Sequence, residues 1–172
     1  MDQYHEEEKL YQDNISVFED ELYDTHDDVK SRPFVIFRLG DEWYGVDIAF
    51  VSEVIPTQKI AMLPLVPEHI EGIINLRGNI VPVINLRPLL SVSHGAVSEK
   101  NRIIIIAYNS ILVGLLNDGD EEAVEIPEEL IEHLVTTLEG DVNALISGHL
   151  EWNGKLIAFL DVQKIIENTR VK

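Results

Sequence analysis

Residues 70–90 read IEGIINLRGNIVPVINLRPLL, and their pattern decides the fold. Two apolar runs, 73–77 and 80–86, flank Gly78-Asn79. Gly supplies the positive φ that a two-residue hairpin turn needs, so the stretch predicts two antiparallel strands. With the turn at 78–79, Arg77 faces Ile80, Asn75 faces Pro82 and Ile73 faces Ile84. Alternation then puts Ile74, Leu76, Val81 and Val83 on one face. Asn75, Arg77, Ile80, Pro82 and Ile84 share the other. One guanidinium and one amide thus stand at a hairpin tip on an otherwise apolar surface. That is compatible with a purely structural hairpin whose Arg reaches solvent. It is also the composition that docking surfaces favour.

Outward from the hairpin, the pattern stays short and extended. On the N-terminal side, residues 34–39 alternate, Gly40-Asp41-Glu42 turns the chain, and residues 43–46 return. Asp47 can cap a short helix with Ile48, Val51 and Val54 or Ile55 on its inner side, stopped by Pro56. Residues 60–65 read as a strand broken by Pro64 and Pro67, and residues 68–70 as one turn. On the C-terminal side, residues 90–100 form a polar loop. Residues 103–106, four consecutive isoleucines, predict a strand buried on both faces. Asn109-Ser110 turns into residues 111–116, and residues 117–122 form an acidic loop. A short extended run, 123–126, leads to Pro127 at the first turn of a helix predicted to reach about Leu138, ended by Gly140-Asp141. Residues 142–152 and 155–161 pair across Asn153-Gly154, and Asp161 starts a last helix over 162–168. Arg170 and Lys172 sit favourably beyond its C-terminus. Nine or ten short, mostly antiparallel strands with few helices describe a mainly β chain of small barrels or a sandwich. An echo, Glu42-Trp43-Tyr44-Gly45 against Glu151-Trp152-Asn153-Gly154, is consistent with two similar lobes.

The 172 residues suit one domain or two small lobes with a common interior. Residues 1–32 read as a separate acidic tail and 33–172 as the folded part. Residues 1–31 carry 11 acidic and 2 basic side chains, half of the net charge of −18 on under a fifth of the length. Such composition predicts disorder, although Tyr11, Ile15, Phe18 and Leu22 fall on one helical face. The strong negative charge argues against nucleic acid or an anionic membrane as partner. No run of residues is apolar enough to span a membrane and the start is not a secretory signal, so the expected location is cytoplasmic. The absence of cysteine excludes disulfides and thiolate chemistry.

Gly72 to Val83, G-x-x-N-L-R-G-x-x-x-P-V, resembles the signature of the CheW family, the adaptors that couple bacterial chemoreceptors to the histidine kinase CheA. The resemblance extends over about residues 33–168. Phe37 to Ile48 resembles the family's opening hairpin, and Val51 to Ile55 its first helix. Pro64 to Gly72 matches the lead into the signature, and Ile103 to Gly114 the paired strands of the second half. Ile146-Ser147-Gly148 with Leu156 to Asp161 matches the C-terminal hairpin and helix. The resemblance implies two SH3-like, five-stranded β-barrel lobes sharing an apolar core. It implies no catalysis and no cofactor. The implied partners are the regulatory domain of a CheA-type kinase and the cytoplasmic hairpin of methyl-accepting receptors. Receptor contacts carry over to Val51, Glu53, Asn75 and Arg77, and kinase contacts to the region of Ile104 and Gly114. Gly72 and Gly78 carry over as structural glycines. Two departures, the acidic run Asn117 to Glu122 and the long acidic tail, point to an adaptor of a particular, non-flagellar pathway such as pilus motility, or to a decoy that binds a kinase without receptors.

Catalytic motifs are missing: there is no G-x-S-x-G, Walker A loop, G-x-G-x-x-G or H-E-x-x-H. His5, His26, His69, His94, His133 and His149 are dispersed, without metal-ligand spacing. Asn117 to Asp120 lacks the ligand order of a calcium loop. A small β-barrel enzyme or ligand-binding protein stays open as the alternative class, marked by a deep polar cavity with convergent titratable groups.

Overall fold

The computed structural model describes residues 29–93, 97–134 and 142–169. The chain divides into two units, Met1–Lys30 and Ser31–Lys172. Most of the first, including the face of Tyr11, Ile15, Phe18 and Leu22, lies outside the described residues, as do Gly140-Asp141, Arg170 and Lys172. Two sheets build the second unit. Strands β1 (Ser31–Leu39), β2 (Glu42–Asp47), β8 (Glu122–Pro127), β9 (Glu132–His133), β10 (Ile146–Trp152) and β11 (Lys155–Leu160) form one, in the order β8-β1-β2-β11-β10-β9. Strands β3 (Val51–Pro56), β4 (Ile70–Leu76), β5 (Asn79–Asn85), β6 (Arg102–Tyr108) and β7 (Ile111–Asn117) form the other, in the order β3-β6-β7-β5-β4. The middle of the chain is therefore one lobe, and its two ends together make the other. The end lobe has six strands because the two-residue β9 adds to the edge of β10. Two pairs, β2–β11 and β5–β7, are parallel.

Alternation explains the core. In β6, Ile103 and Ile105 enter the interior of the middle lobe with Ile74, Val81, Val83 and Leu116. Ile104 and Ile106 turn the other way, into a core shared by both lobes. Strand β1 does the same: Phe34 and Ile36 fill the end lobe, while Val35, Phe37 and Leu39 join the shared core. The four-isoleucine run is unbroken because both of its faces meet apolar layers. Each such side chain contributes about 1.5–3 kcal/mol on burial. Helix α1 (Arg87–Leu90) follows β5, and helix α2 (Val162–Thr169) caps the shared core with Val162, Ile165 and Ile166. Asp161 starts α2 as expected: its Oδ1 accepts from the Lys164 N–H at 3.1 Å.

Several local expectations change. Asp47 caps only a 3-10 turn, Ile48–Phe50, by accepting from the Ala49 N–H; Val51–Pro56 is a strand. The apolar spacing at 48, 51, 54 and 55 mimics a helix face, but β-branched Val51, Val54 and Ile55 suit the pleat, and β6 supplies the partner. Likewise, the helix expected from Pro127 is one 3-10 turn, Glu128–Leu130, followed by β9; residues 135–138 lie outside the described residues. Ile131 is drawn into the end-lobe core and the chain then pairs with β10. Of residues 60–65, only Ala61 pairs, with Ile73. The echo of Glu42-Trp43 in Glu151-Trp152 marks β2 and β10 of the same sheet, not one hairpin per lobe. The central turn is Arg77-Gly78 rather than Gly78-Asn79, with Leu76 opposite Asn79 and Asn75 opposite Ile80.

The acidic run at 117–120 is a cross-lobe clamp rather than a free surface loop. Asp118 accepts from Arg87 Nη2, from Asn101 Nδ2 at 3.1 Å and from the Gly40 N–H, in the β1–β2 turn, at 2.6 Å. Its own N–H donates to the Arg38 carbonyl at 2.9 Å. Asn117, fully buried, accepts from the Gly119 N–H at 2.7 Å, and its carbonyl accepts from Asn101 at 2.8 Å. Burial pushes the Asp118 carboxyl up, but Gly40, Arg87 and Asn101 together hold it below its ordinary value. Its contribution to stability is therefore complete above about pH 4 and is lost as pH falls through the lower, folded-state value. Asp118→Asn leaves the buried Arg87 without its counter-charge, and we expect a loss of about 3 kcal/mol in urea unfolding at pH 7. Below about pH 4 the variant's stability should fall less steeply than the parent's.

Candidate functional site

The central hairpin and the start of the middle lobe meet at one place. Strand β3 is an edge strand in which Val51, Glu53 and Ile55 are partly buried. The tip of β4–β5 is a turn in which both central residues have positive φ, Arg77 at 49° and Gly78 at 88°. That is the type I′ geometry that matches the twist of the flanking strands. From this turn Arg77 grips Glu53 with both nitrogens, Nη1 to Oε1 at 2.5 Å and Nη2 to Oε2 at 2.8 Å. Hydrogen bonding to Arg77 holds the Glu53 carboxyl below its ordinary value, and Glu53 raises Arg77 in turn. Arg77 is 72% exposed and Glu53 26%, so the fork is offered to solvent while its acid is half sheltered.

The other expected receptor residues divide. Val51 packs against the shared core. Asn75 is exposed and folds back on its own hairpin, its Oδ1 accepting from the Gly78 N–H at 2.8 Å. Ile80, opposite Asn75, is 64% exposed. Gly72 is structural by close approach: a Cβ there would lie 2.3 Å from the Ala61 carbonyl oxygen. Gly78 has open space around it and is structural through its positive φ alone.

Ile104 and Gly114 do not present a surface. Ile104 is fully buried in the shared core, between Val54 of β3 and Leu115 of β7. Gly114 is buried in the central strand β7, where a Cβ would meet Ile103 Cγ2 at 2.7 Å. Both positions are corrected from partner contact to packing. A central strand of a two-faced sheet has no free side.

Sequence reasoning missed a cleft of about 260 Å³ at the junction of the lobes, lined by Arg32, Asp47, Phe50, Tyr108, Asp161 and Gln163 among others. Phe50 and Tyr108 rings lie 6.1 Å apart there, and Phe50 directly precedes Val51. Two aromatics at strand ends, each bordering a turn, were the signal available. A second, open concavity of about 500 Å³ beside Trp43 and Tyr44 holds Lys155, whose Nζ sits 3.9 Å from the Trp43 ring centroid. Burial, with the hydrogen bond that the hydroxyl donates to Glu42, pushes the Tyr44 pKa well up. Tyr44 therefore keeps its proton at neutral pH. Ser147, whose hydroxyl donates to the Phe159 carbonyl, is tied to the sheet. Among the described residues no three His, Asp or Glu side chains group in a way that could hold a metal ion. The hairpin tip offers a charged fork with the exposed apolar Ile80 nearby on β5.

Comparison with known proteins identifies the family. The CheW-like domain model matches residues 33–170. The chemotaxis protein CheW of Thermotoga maritima is 30% identical over 146 residues, 85% of this chain and 95% of that protein. CheW of Bacillus subtilis is 29% identical over 133 residues, 77% of this chain and 85% of that protein. Protein PilI of Pseudomonas aeruginosa is more distant, 22% identical over 120 residues, 70% of this chain and 67% of that protein. The crystal structure of the scaffolding protein TtCheW from Thermoanaerobacter tengcongensis is 35% identical, with a TM-score of 0.69 over 81% of this chain and 89% of that one. No helix among the described residues is long and apolar enough to cross a membrane. With its signature folded as the hairpin whose tip grips Glu53, and with the family model spanning both lobes, this chain belongs to the CheW-like domain family.

Proposed function

We propose that this protein is a non-enzymatic adaptor of bacterial chemosensory signalling, bridging the cytoplasmic tips of methyl-accepting receptors to a CheA-type histidine kinase. The observation that carries the receptor side is the Arg77–Glu53 fork, set at a hairpin tip against the β3 edge. An exposed guanidinium fixed by a bidentate partner has little conformational freedom to lose, which favours docking. Exposed Ile80, the cross-strand partner of Asn75 next to the turn, supplies apolar area near it. The kinase side is assigned to apolar edges and loops of the middle lobe, where Met62 and Leu65 project from the β3–β4 connection, rather than to Ile104 and Gly114. The relatives named CheW match more closely than PilI, which favours the chemotaxis reading over the pilus one.

Titration calorimetry against the regulatory domain of the CheA-type kinase of the same organism tests the adaptor class. Saturable binding at micromolar or tighter affinity is expected, and no heat at high micromolar concentration removes the kinase partner. On the receptor side, Arg77→Ala should weaken binding of a receptor-tip helical hairpin roughly ten- to hundredfold. Kinase-domain affinity and the thermal midpoint should stay close to those of the parent, because an exposed ion pair adds little to stability.

A further inference from the structure

We infer that Asn75 is a positioning residue for Arg77 and not itself a receptor contact. Arg77 occupies the first central position of a type I′ turn with a φ of 49°. This left-handed conformation is taken readily by Gly, Asn or Asp and is disfavoured for a long side chain. The turn nevertheless places Arg where the fork to Glu53 closes. Something must hold the backbone there. Asn75 does so from two residues upstream: its Oδ1 accepts from the Gly78 N–H at 2.8 Å, bridging the stem to the second central residue. Gly78 is the right neighbour, since its φ of 88° suits glycine and its surroundings are open. An Asx-type bond is a local device that competes with other turn conformations. Without it the tip can relax to conformations that give Arg77 a negative φ and swing the guanidinium off Glu53. In this reading the signature's Asn, Arg and Gly are one unit: Asn sets the turn, Gly permits it, and Arg is displayed by it.

The functional consequence rests on the receptor reading above; the backbone consequence does not. Both are measurable on the full chain. By NMR, the Gly78 amide should be protected from exchange in the parent and in Asn75→Asp, which keeps the accepting oxygen, and should lose that protection in Asn75→Ala. Equal Gly78 protection in all three would overturn the inference whatever the receptor result. Affinity for a receptor-tip hairpin should then fall about three- to tenfold in Asn75→Ala, with Asn75→Asp recovering most of it. In an Arg77→Ala background, Asn75→Ala should cost less than twofold, because no displayed guanidinium is left to misplace. An equal loss in both backgrounds would show that Asn75 touches the receptor directly and would overturn the inference. A parent protein that shows the Gly78 protection pattern but binds no receptor hairpin would sink the adaptor reading alone.

Discussion

One carboxylate ties together three segments at the seam of the two lobes. Asp118 receives donors from three segments that are distant in sequence: the backbone of Gly40 in the end lobe, Arg87 of α1 and Asn101 before β6. Only an ionised carboxylate offers enough acceptor sites in so small a space. The shared core beneath is extensive but non-directional. Burial of Val35, Phe37 and Leu39 with Ile104, Ile106 and Leu115 adds no hydrogen-bond direction between the lobes. The clamp supplies it by fixing the β1–β2 turn to the end of β7. It carries a cost, because Arg87 is nearly fully buried and its Nε finds no hydrogen-bond partner. Directional geometry is what that cost secures, and the junction cleft, which takes residues from both lobes, depends on it.

Much of this architecture was legible from alternation. The four isoleucines of β6 announced a strand buried on both faces, and Asn109-Ser110 and Asn153-Gly154 both form turns with positive φ, as their composition implies. What failed was local pattern in the absence of its partner strand. Residues 48–55 carry a helical spacing, yet β6 needed an edge partner, and Val51–Pro56 took that place. Residues 128–134 carry a helix-start signal, yet Ile131 was needed in the end-lobe core. The polar run at 117–122 reads as a solvated loop because the residues that satisfy it, Gly40, Arg87 and Asn101, are invisible at that distance along the chain.

The central hairpin shows how an error of one residue can be harmless to packing and decisive for chemistry. Moving the turn from 78–79 to 77–78 shifts every cross-strand partner by two, so the pleat is preserved and Ile74, Val81 and Val83 still face inward. Arg77, however, changes from a strand residue to a turn residue. Only from the turn does it reach Glu53. The resemblance supplied both residue numbers, but nothing in the sequence states their pairing. Strand β3 and the β4–β5 pair lie toward opposite edges of one five-stranded sheet, so Glu53 and Arg77 meet only because the sheet curls until those edges face each other.

The same curl dictates where partners can bind. Between Ile103 and Ile106 every β6 side chain is consumed by one core or the other, and β7 is buried from Val113 to Asn117. A strand used on both faces and paired on both edges has nothing left to offer another protein. Free surface in this lobe is therefore found at the edge strand β3, the hairpin tip and the β3–β4 connection. Val54, Met62, Leu63, Leu65 and Ile80 are exposed apolar side chains there. Leu65 is informative: it is fully exposed and holds a φ of 59°, a conformation that a Gly or Asn would adopt with less strain. A large apolar residue at such a position gains nothing from the folded chain itself. Exposed apolar area of this kind is available to a partner, and the edge of the middle lobe, unlike its tightly packed centre, is where it remains.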